Sequence, residues 1–560
     1  MKIRNIPGSY KQKSRDLKFV ALLFVAAFLM LLSTSSALGQ GFKMTQLNVP
    51  VAQTGTTSPF GVNTSEDVVG SFKNTTGDVV GFLYSAGKYT NIEPPEAAGY
   101  ARAEGINDSD TVTGNYLDSG GRYHGFIYSK GIYKTYDETK TESCGIFGVN
   151  NAEDFVGNVG NVGEPGRGFV NIGGTKTEFY ASGKDTTYAY AINSSEEVVG
   201  EYFDSSNLQH GFYRSAGGTI TEIAYPGASQ TSATGINDSG EITGSYINAS
   251  NLPYGFTYIK GKYATTDFAG TTGINSKGAY VGYYWGVPDG TPSGYLASPQ
   301  AFTLSTVKVP GNLQAQLWGI NKAGVSVGSY VATDGTSHGM MISGGKVKNI
   351  DDPKGTNTIC FGINLTNQIV GVYTASSGAK AFEYTAGKFK DLPGPAGAVS
   401  SAAFGINDAG SISGLYSLSS GATFGFVLKN GKYTTLNVPG SQFTLARGIN
   451  NSGLVTVQWG DSAGYLQSSL YNGKKYTPIN VPGAAVNQVQ GINTAGDIVY
   501  FVSDPYGVGH AALKSGNDYY IFDYPKGSNT GAGGINDSNL MVGSYNPAGK
   551  TVPQAFRGTE

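Results

Sequence analysis

Four histidines are the first place to look for a general base or a metal ligand, because imidazole changes charge near neutral pH. His124, His210, His338 and His510 occupy the same slot of a repeated segment. Equivalent slots of a repeat are carried on separate structural units, so the four are expected to serve the architecture instead of meeting in one centre. Cys144 and Cys360 are the only thiols and lie five repeats apart, which reads as two isolated buried side chains and not a disulfide. Asn107-Asp108-Ser109-Asp110 has some likeness to a calcium loop but lacks the acidic spacing and the distal Glu. No Gly-x-Ser-x-Gly elbow, His-Glu-x-x-His pair or phosphate-binding glycine loop is present. The reading therefore assigns no catalytic residue, no cofactor and no metal ligand.

What remains for recognition is aromatic surface. Tyr283-Tyr284-Trp285 leads into the most irregular stretch of the chain, residues 286–294. Aromatic faces beside Asn and Asp are the usual lining of a glycan site. Tyr284 and Trp459 share a repeat position expected in the core, so Trp285, with Tyr283 beside it, is the ligand-binding candidate.

The elements that must position these side chains are announced by Gly235-Ile236-Asn237-Asp238-Ser239-Gly240-Glu241-Ile242-Thr243-Gly244-Ser245-Tyr246. Variants of it begin at residues 61, 105, 148, 191, 235, 273, 319, 362, 405, 448, 491 and 534. The spacing is 43 or 44 residues except for 38 and 46 on either side of the sixth copy. A period near 43 suits a four-stranded propeller blade and is too long for one coil of a β-helix. Gly at 83 of 560 residues, 12% aromatics and only 14% charged residues point the same way, to an all-β chain.

The third residue of the motif is Asn in all twelve copies: Asn63, Asn107, Asn150, Asn193, Asn237, Asn275, Asn321, Asn364, Asn407, Asn450, Asn493 and Asn536. A residue present in every unit belongs to the architecture, and the polar residues after it predict a turn in which the Asx side chain bonds the backbone. The Asn-x-Ser/Thr sequons at Asn107 and Asn237 fall on that turn, so they read as turn chemistry and not as glycosylation sites. The next strand has period two. A bulky residue, a Gly and an aromatic follow at seven, nine and eleven residues from the start, as in Ile242, Gly244 and Tyr246. The glycine leaves a slot on that face, and a side chain from the neighbouring sheet is the expected filler. A hairpin completes the unit, as in 124–137, and Val438-Pro439-Gly440 is a typical end of its outer strand.

The third strand carries His124-Gly125-Phe126, His210-Gly211-Phe212, His338-Gly339-Met340, Lys380-Ala381-Phe382 and Gln554-Ala555-Phe556. With Gly405-Ile406-Asn407-Asp408-Ala409-Gly410 as companion motif, residues 42–560 resemble the HAF-repeat family of extracellular repeat proteins, named for a His-Ala-Phe signature. The resemblance implies export and a β-repeat fold and carries no activity. His is kept in only four of twelve slots here, so it is optional.

Residues 42–50 form an outer-type strand with no third strand before it, and 301–310 look like a second copy of that strand. Sequence leaves open whether such a segment completes a distant blade or opens the next one. The disturbed spacing beside the second copy favours two tandem six-bladed propellers, residues 38–299 and 300–560, over one twelve-bladed ring with a wide, unfilled centre. Residues 1–37 read as a signal peptide: a basic segment, an apolar run from Phe19 to Leu32, and Ser35-Ser36-Ala37 for cleavage. Export through the general secretion route to the periplasm or beyond is expected, with no membrane association after cleavage.

Without the leader, 32 Lys and Arg face 39 Asp and Glu, a formal charge of −7 that disfavours nucleic acid. The reading is a secreted, monomeric, non-enzymatic β-propeller that binds protein or polysaccharide. The alternative is a polysaccharide hydrolase or lyase with carboxylates converging from separate blades, for which three or more charged groups around one channel mouth would speak.

Overall fold

The computed structural model describes residues 41–137, 141–161, 164–266, 270–285, 292–504 and 507–560. These form twelve four-stranded antiparallel blades, with no helix among the described residues. Blade 9 is typical: Ala398–Ile406, Ile412–Leu418, Thr423–Lys429 and Lys432–Leu436 pair in sequence order from the axis outward.

Two blades take their outermost strand from far away in sequence. Gly41–Leu47 pairs along its whole length with Pro292–Gln300 and completes blade 6. Thr303–Thr306 pairs with Gln554–Thr559 and completes blade 12. Two closed rings of six blades result. Apolar cores confirm the closures: Val62, Val68 and Phe82 of blade 1 pack with Ala279, Val281 and Leu296 of blade 6. In the second ring Leu317 and Met340 of blade 7 pack with Val542 and Ala555 of blade 12.

The twelve asparagines explain the repeated motif. Each Oδ1 accepts the backbone N–H four residues on, which fixes the turn out of the innermost strand. Each Nδ2 donates at 2.8–3.3 Å to the carbonyl of the corresponding asparagine in the next blade. Asn275 returns to Asn63 and Asn536 to Asn321, so each circuit closes after six members. All twelve are only 2–6% exposed, and a committed amide at that depth is no glycan acceptor. The glycine two residues earlier lies where neighbouring innermost strands meet. A Cβ at Gly105 would fall 2.6 Å from the Phe147 carbonyl, and one at Gly273 2.4 Å from that of Phe60.

The glycine slot on the second strand is filled differently from the expectation. The filler comes from the same sheet, not the neighbouring one: Gly414 pairs directly with Phe426, whose ring would lie 2.6 Å from a Cβ there. Period two identifies the face of a strand but not which partner covers it. The pairing also accounts for the exceptions, since Val457 faces Ser469 and Tyr500 faces Ala512, large and small exchanged across the ladder.

The rings are joined edge to edge. Phe42, Lys43 and Met44 of the strand that closes blade 6 pair with Ile521, Tyr520 and Tyr519 of blade 11, producing one sheet of eight strands. A Lys43–Asp518 ion pair at 3.0 Å and the Phe302–Phe522 stack flank the joint.

Two stability measurements follow. Asn450→Asp keeps the acceptor for Ser452 and Leu454 but places an oxygen against the Asn493 carbonyl, and should cost about 2 kcal/mol. Calorimetry should show the transition lowered by about 4–8 °C, and an unchanged transition would refute the circuit's role. Ser469→Phe alone overpacks blade 10 by about 1–3 kcal/mol. In a Val457→Gly background the penalty should fall by about 1 kcal/mol or more; simple additivity would sink the size-exchange account.

Candidate functional site

Every innermost strand carries a ladder irregularity at the start of the motif, as at Ala103/Gly105 and Ala189/Ala191. A β-bulge re-aims the side chain of its extra residue, here toward the ring axis. In the first ring the residue before the motif is Phe60, Glu104, Phe147, Tyr190, Thr234 or Thr272, and all six line one axial cavity of about 450 Å³. Arg102, Tyr188, Glu201, Gln209 and Ser232 extend it away from the asparagine circuit.

In the second ring the same places hold Trp318, Phe361, Phe404, Arg447, Gln490 and Gly533, and the axial space is about 80 Å³. Trp318 and Phe361 meet edge to face at 5.7 Å, Phe361 and Phe404 at 5.1 Å, and the Arg447 guanidinium lies 4.8 Å over Phe404. One ring is plugged and the other hollow.

Two polar clusters are built into the hollow ring. Arg102 Nε lies 3.1 Å from Glu104 Oε1, with the guanidinium 4.2 Å over the Phe60 ring. Burial works against that charge, but the Glu104 carboxylate together with Tyr100 and Tyr190 outweighs it and Arg102 is held above its ordinary range. Asn115 Nδ2 donates to the same Glu104 oxygen at 3.2 Å. Opposite, Glu201 accepts from the Tyr190 hydroxyl at 2.6 Å, the Ser232 hydroxyl at 2.6 Å and the Gln209 amide. Burial, with Glu201 second, pushes the Tyr190 phenol well above its usual value, so it stays a neutral donor. Phe147 meets Tyr190 edge to face at 5.6 Å, and Tyr188 lies parallel to Tyr190 at 6.1 Å. The arrangement offers aromatic faces, hydroxyls, an amide and two engaged carboxylates to a ligand on the axis.

Tyr283, selected from sequence, lies elsewhere. Tyr283 is half-buried on the second strand of blade 6, its ring 3.0 Å from where a Gly270 Cβ would be, and it does not line the axial cavity. The Trp285 backbone pairs with Pro292, while its side chain falls outside the described residues, as do residues 286–291. Arg102, Glu104, Tyr190 and Glu201 were not foreseen. The signal for Glu104 and Tyr190 was the position before the motif, which varies freely where its neighbours repeat; Arg102 and Glu201 stand elsewhere in their repeats and carried none.

The histidines stay on separate blades. His124 stacks on Tyr116 and bonds Asp118 at 2.9 Å and Asp137 at 2.6 Å; His210 stacks on Tyr202 and bonds Asp204 and Glu222. His338 pairs with Asp351 and His510 with Asp523. Cys144 and Cys360 are both buried thiols on separate blades. Among the described residues no group of three or more His, Cys, Asp and Glu is placed to hold a metal. At the calcium-like stretch, Asp108 accepts from Thr64 and Asn151, and Asp110 from Asn63.

No protein-family model matches the chain, and no curated protein does. The HAF-repeat resemblance therefore rests on its motifs alone. Solved structures similar to it include a lectin from Burkholderia pseudomallei, at 11% identity over 59% of this chain and 95% of that one, TM-score 0.25. A gluconolactonase from Xanthomonas campestris matches at 11% identity over 46% and 89%, TM-score 0.33. The β-propeller domain of the Trilobed protease from Pyrococcus furiosus matches at 10% over 60% and 98%, TM-score 0.24. Likeness at this level assigns neither ligand nor reaction.

The His210 cluster has a pH signature. Burial lowers the imidazole's affinity for a proton, but the Glu222 and Asp204 bonds outweigh it and raise the value above 6.5. A raised folded value stabilises the fold below the unfolded value and loses that contribution as pH rises through the folded one. Wild type should exceed His210→Gln in stability by more at about pH 5.5 than at about pH 8.5. A pH-independent difference in denaturant titrations would contradict the assignment.

Proposed function

We propose that this protein is a secreted, non-enzymatic β-propeller that binds carbohydrate at the axial cavity of its first ring. The contrast between the rings carries the reading. Both are built from the same repeat, yet one axis is packed shut and the other keeps about 450 Å³ lined by Phe60, Phe147, Tyr188 and Tyr190 with polar groups between them. Aromatic faces with a few oriented hydrogen-bonding groups suit a sugar's alternating C–H faces and hydroxyl edges. Binding is favoured over catalysis because Glu104 and Glu201 are already engaged by Arg102, Asn115, Tyr190, Gln209 and Ser232. Export by the leader in residues 1–37 and the HAF-repeat resemblance belong to the same proposal, with extracellular or periplasmic polysaccharide as partner.

A hydrolase or lyase is the second reading, supported by Arg102, Glu104 and Glu201 lining one cavity. Co-sedimentation of the purified protein with insoluble polysaccharides, the supernatants assayed for released sugars, separates the two. Retention without release is expected, lost in Phe147→Ala and kept in Tyr283→Ala. Sugar release would establish the enzyme. Retention of nothing, or loss in Tyr283→Ala with Phe147→Ala unaffected, would refute the axial site.

A further inference from the structure

We infer that Glu104 makes the axial site select uncharged sugars by masking its one cation. This rests on the carbohydrate-binding reading. Arg102 is the only Lys, Arg or His among the described residues lining the cavity, and its side chain is 33% exposed, within reach of a ligand. Left alone, it would be the natural partner for the carboxylate of a uronate or the sulfate of a modified glycan. It is not left alone. Glu104 Oε1 is 3.1 Å from Nε, and the face of Phe60 underlies the guanidinium.

Glu104 is itself only 10% exposed and is held by Asn115 from the second strand, so the pair is set by the blade and not by a mobile side chain. Glu201 adds a second carboxylate, and Tyr190, Gln209 and Ser232, which bond it, are all neutral donors. The lining thus sets one cation against two carboxylates. An anionic sugar has to displace Glu104 from Arg102 and face Glu201 as well, whereas a neutral one needs only hydroxyl bonds and ring faces. Specificity by such repulsion is removed when the repelling charge is removed.

The test is a glycan array carrying neutral hexose, N-acetylhexosamine and uronate oligosaccharides of matched length, probed with the purified full chain. Wild type should retain a neutral glycan about tenfold or more over its uronate counterpart, a ratio readable as an affinity difference. Glu104→Gln keeps the shape, unmasks Arg102 and should narrow or invert that ratio, and adding Arg102→Gln should abolish the uronate gain. Preference of the wild type for uronates, or an unchanged ratio in a cooperatively melting E104Q, overturns the role of Glu104 and leaves carbohydrate binding standing. Retention of no glycan overturns both. Should E104Q not melt cooperatively, the wild-type ratio decides: equal or greater retention of the uronate refutes the inference.

Discussion

The asparagine amide is the interaction on which the rest of the molecule depends. Where an innermost strand ends, its backbone groups leave the ladder at a place too buried for water to satisfy them. One side chain meets both local demands here, accepting at Oδ1 from its own turn and donating from Nδ2 to the next blade, as Asn450 does to Asn493. Asp would lose the donor, Ser offers a single oxygen, and Gln is longer by a methylene, which explains why no substitute occurs in twelve copies. The same bond counts the blades, because it closes on itself when Asn275 reaches Asn63 and Asn536 reaches Asn321.

With that circuit in place, most of the repeat is under constraint. The glycine is fixed by the neighbouring carbonyl, and the slot glycine by the aromatic opposite it. The bulged residue is under neither, because it points into the axis and contacts whatever the other five blades present. Variation accumulates where the fold asks least of it, and six independent choices around one axis make a site. Phe, Glu, Phe, Tyr, Thr and Thr leave the first ring hollow. Trp, Phe, Phe, Arg, Gln and Gly close the second. The axial cavity is shaped by departures from repetition.

This contrast also separates what could be read from the sequence from what could not. The period, the invariant asparagine, the propeller class and the copy of the opening strand at 301–310 are local patterns, and they were legible. The source of the slot filler was not, since a strand's face says nothing about which partner covers it, and Gly414 is covered by Phe426 of its own sheet. The axial site was less legible still. Arg102, Glu104 and Glu201 converge only once bulges and ring closure place them, and each looks unremarkable in its own repeat. Irregularity of sequence drew attention to Tyr283 and Trp285, whereas a site on an axis is marked by variation at one repeated position.

The joint between the rings follows from the exposed edges that propellers leave. Every outermost strand presents unpaired backbone groups, a template for association with other chains. Gly41–Leu47 uses both of its edges, all seven residues to close blade 6 and Phe42, Lys43 and Met44 to pair with the edge of blade 11. Because that strand belongs to the first ring by closure and to the second by lateral pairing, the relative setting of the rings is coupled to the closing of the first.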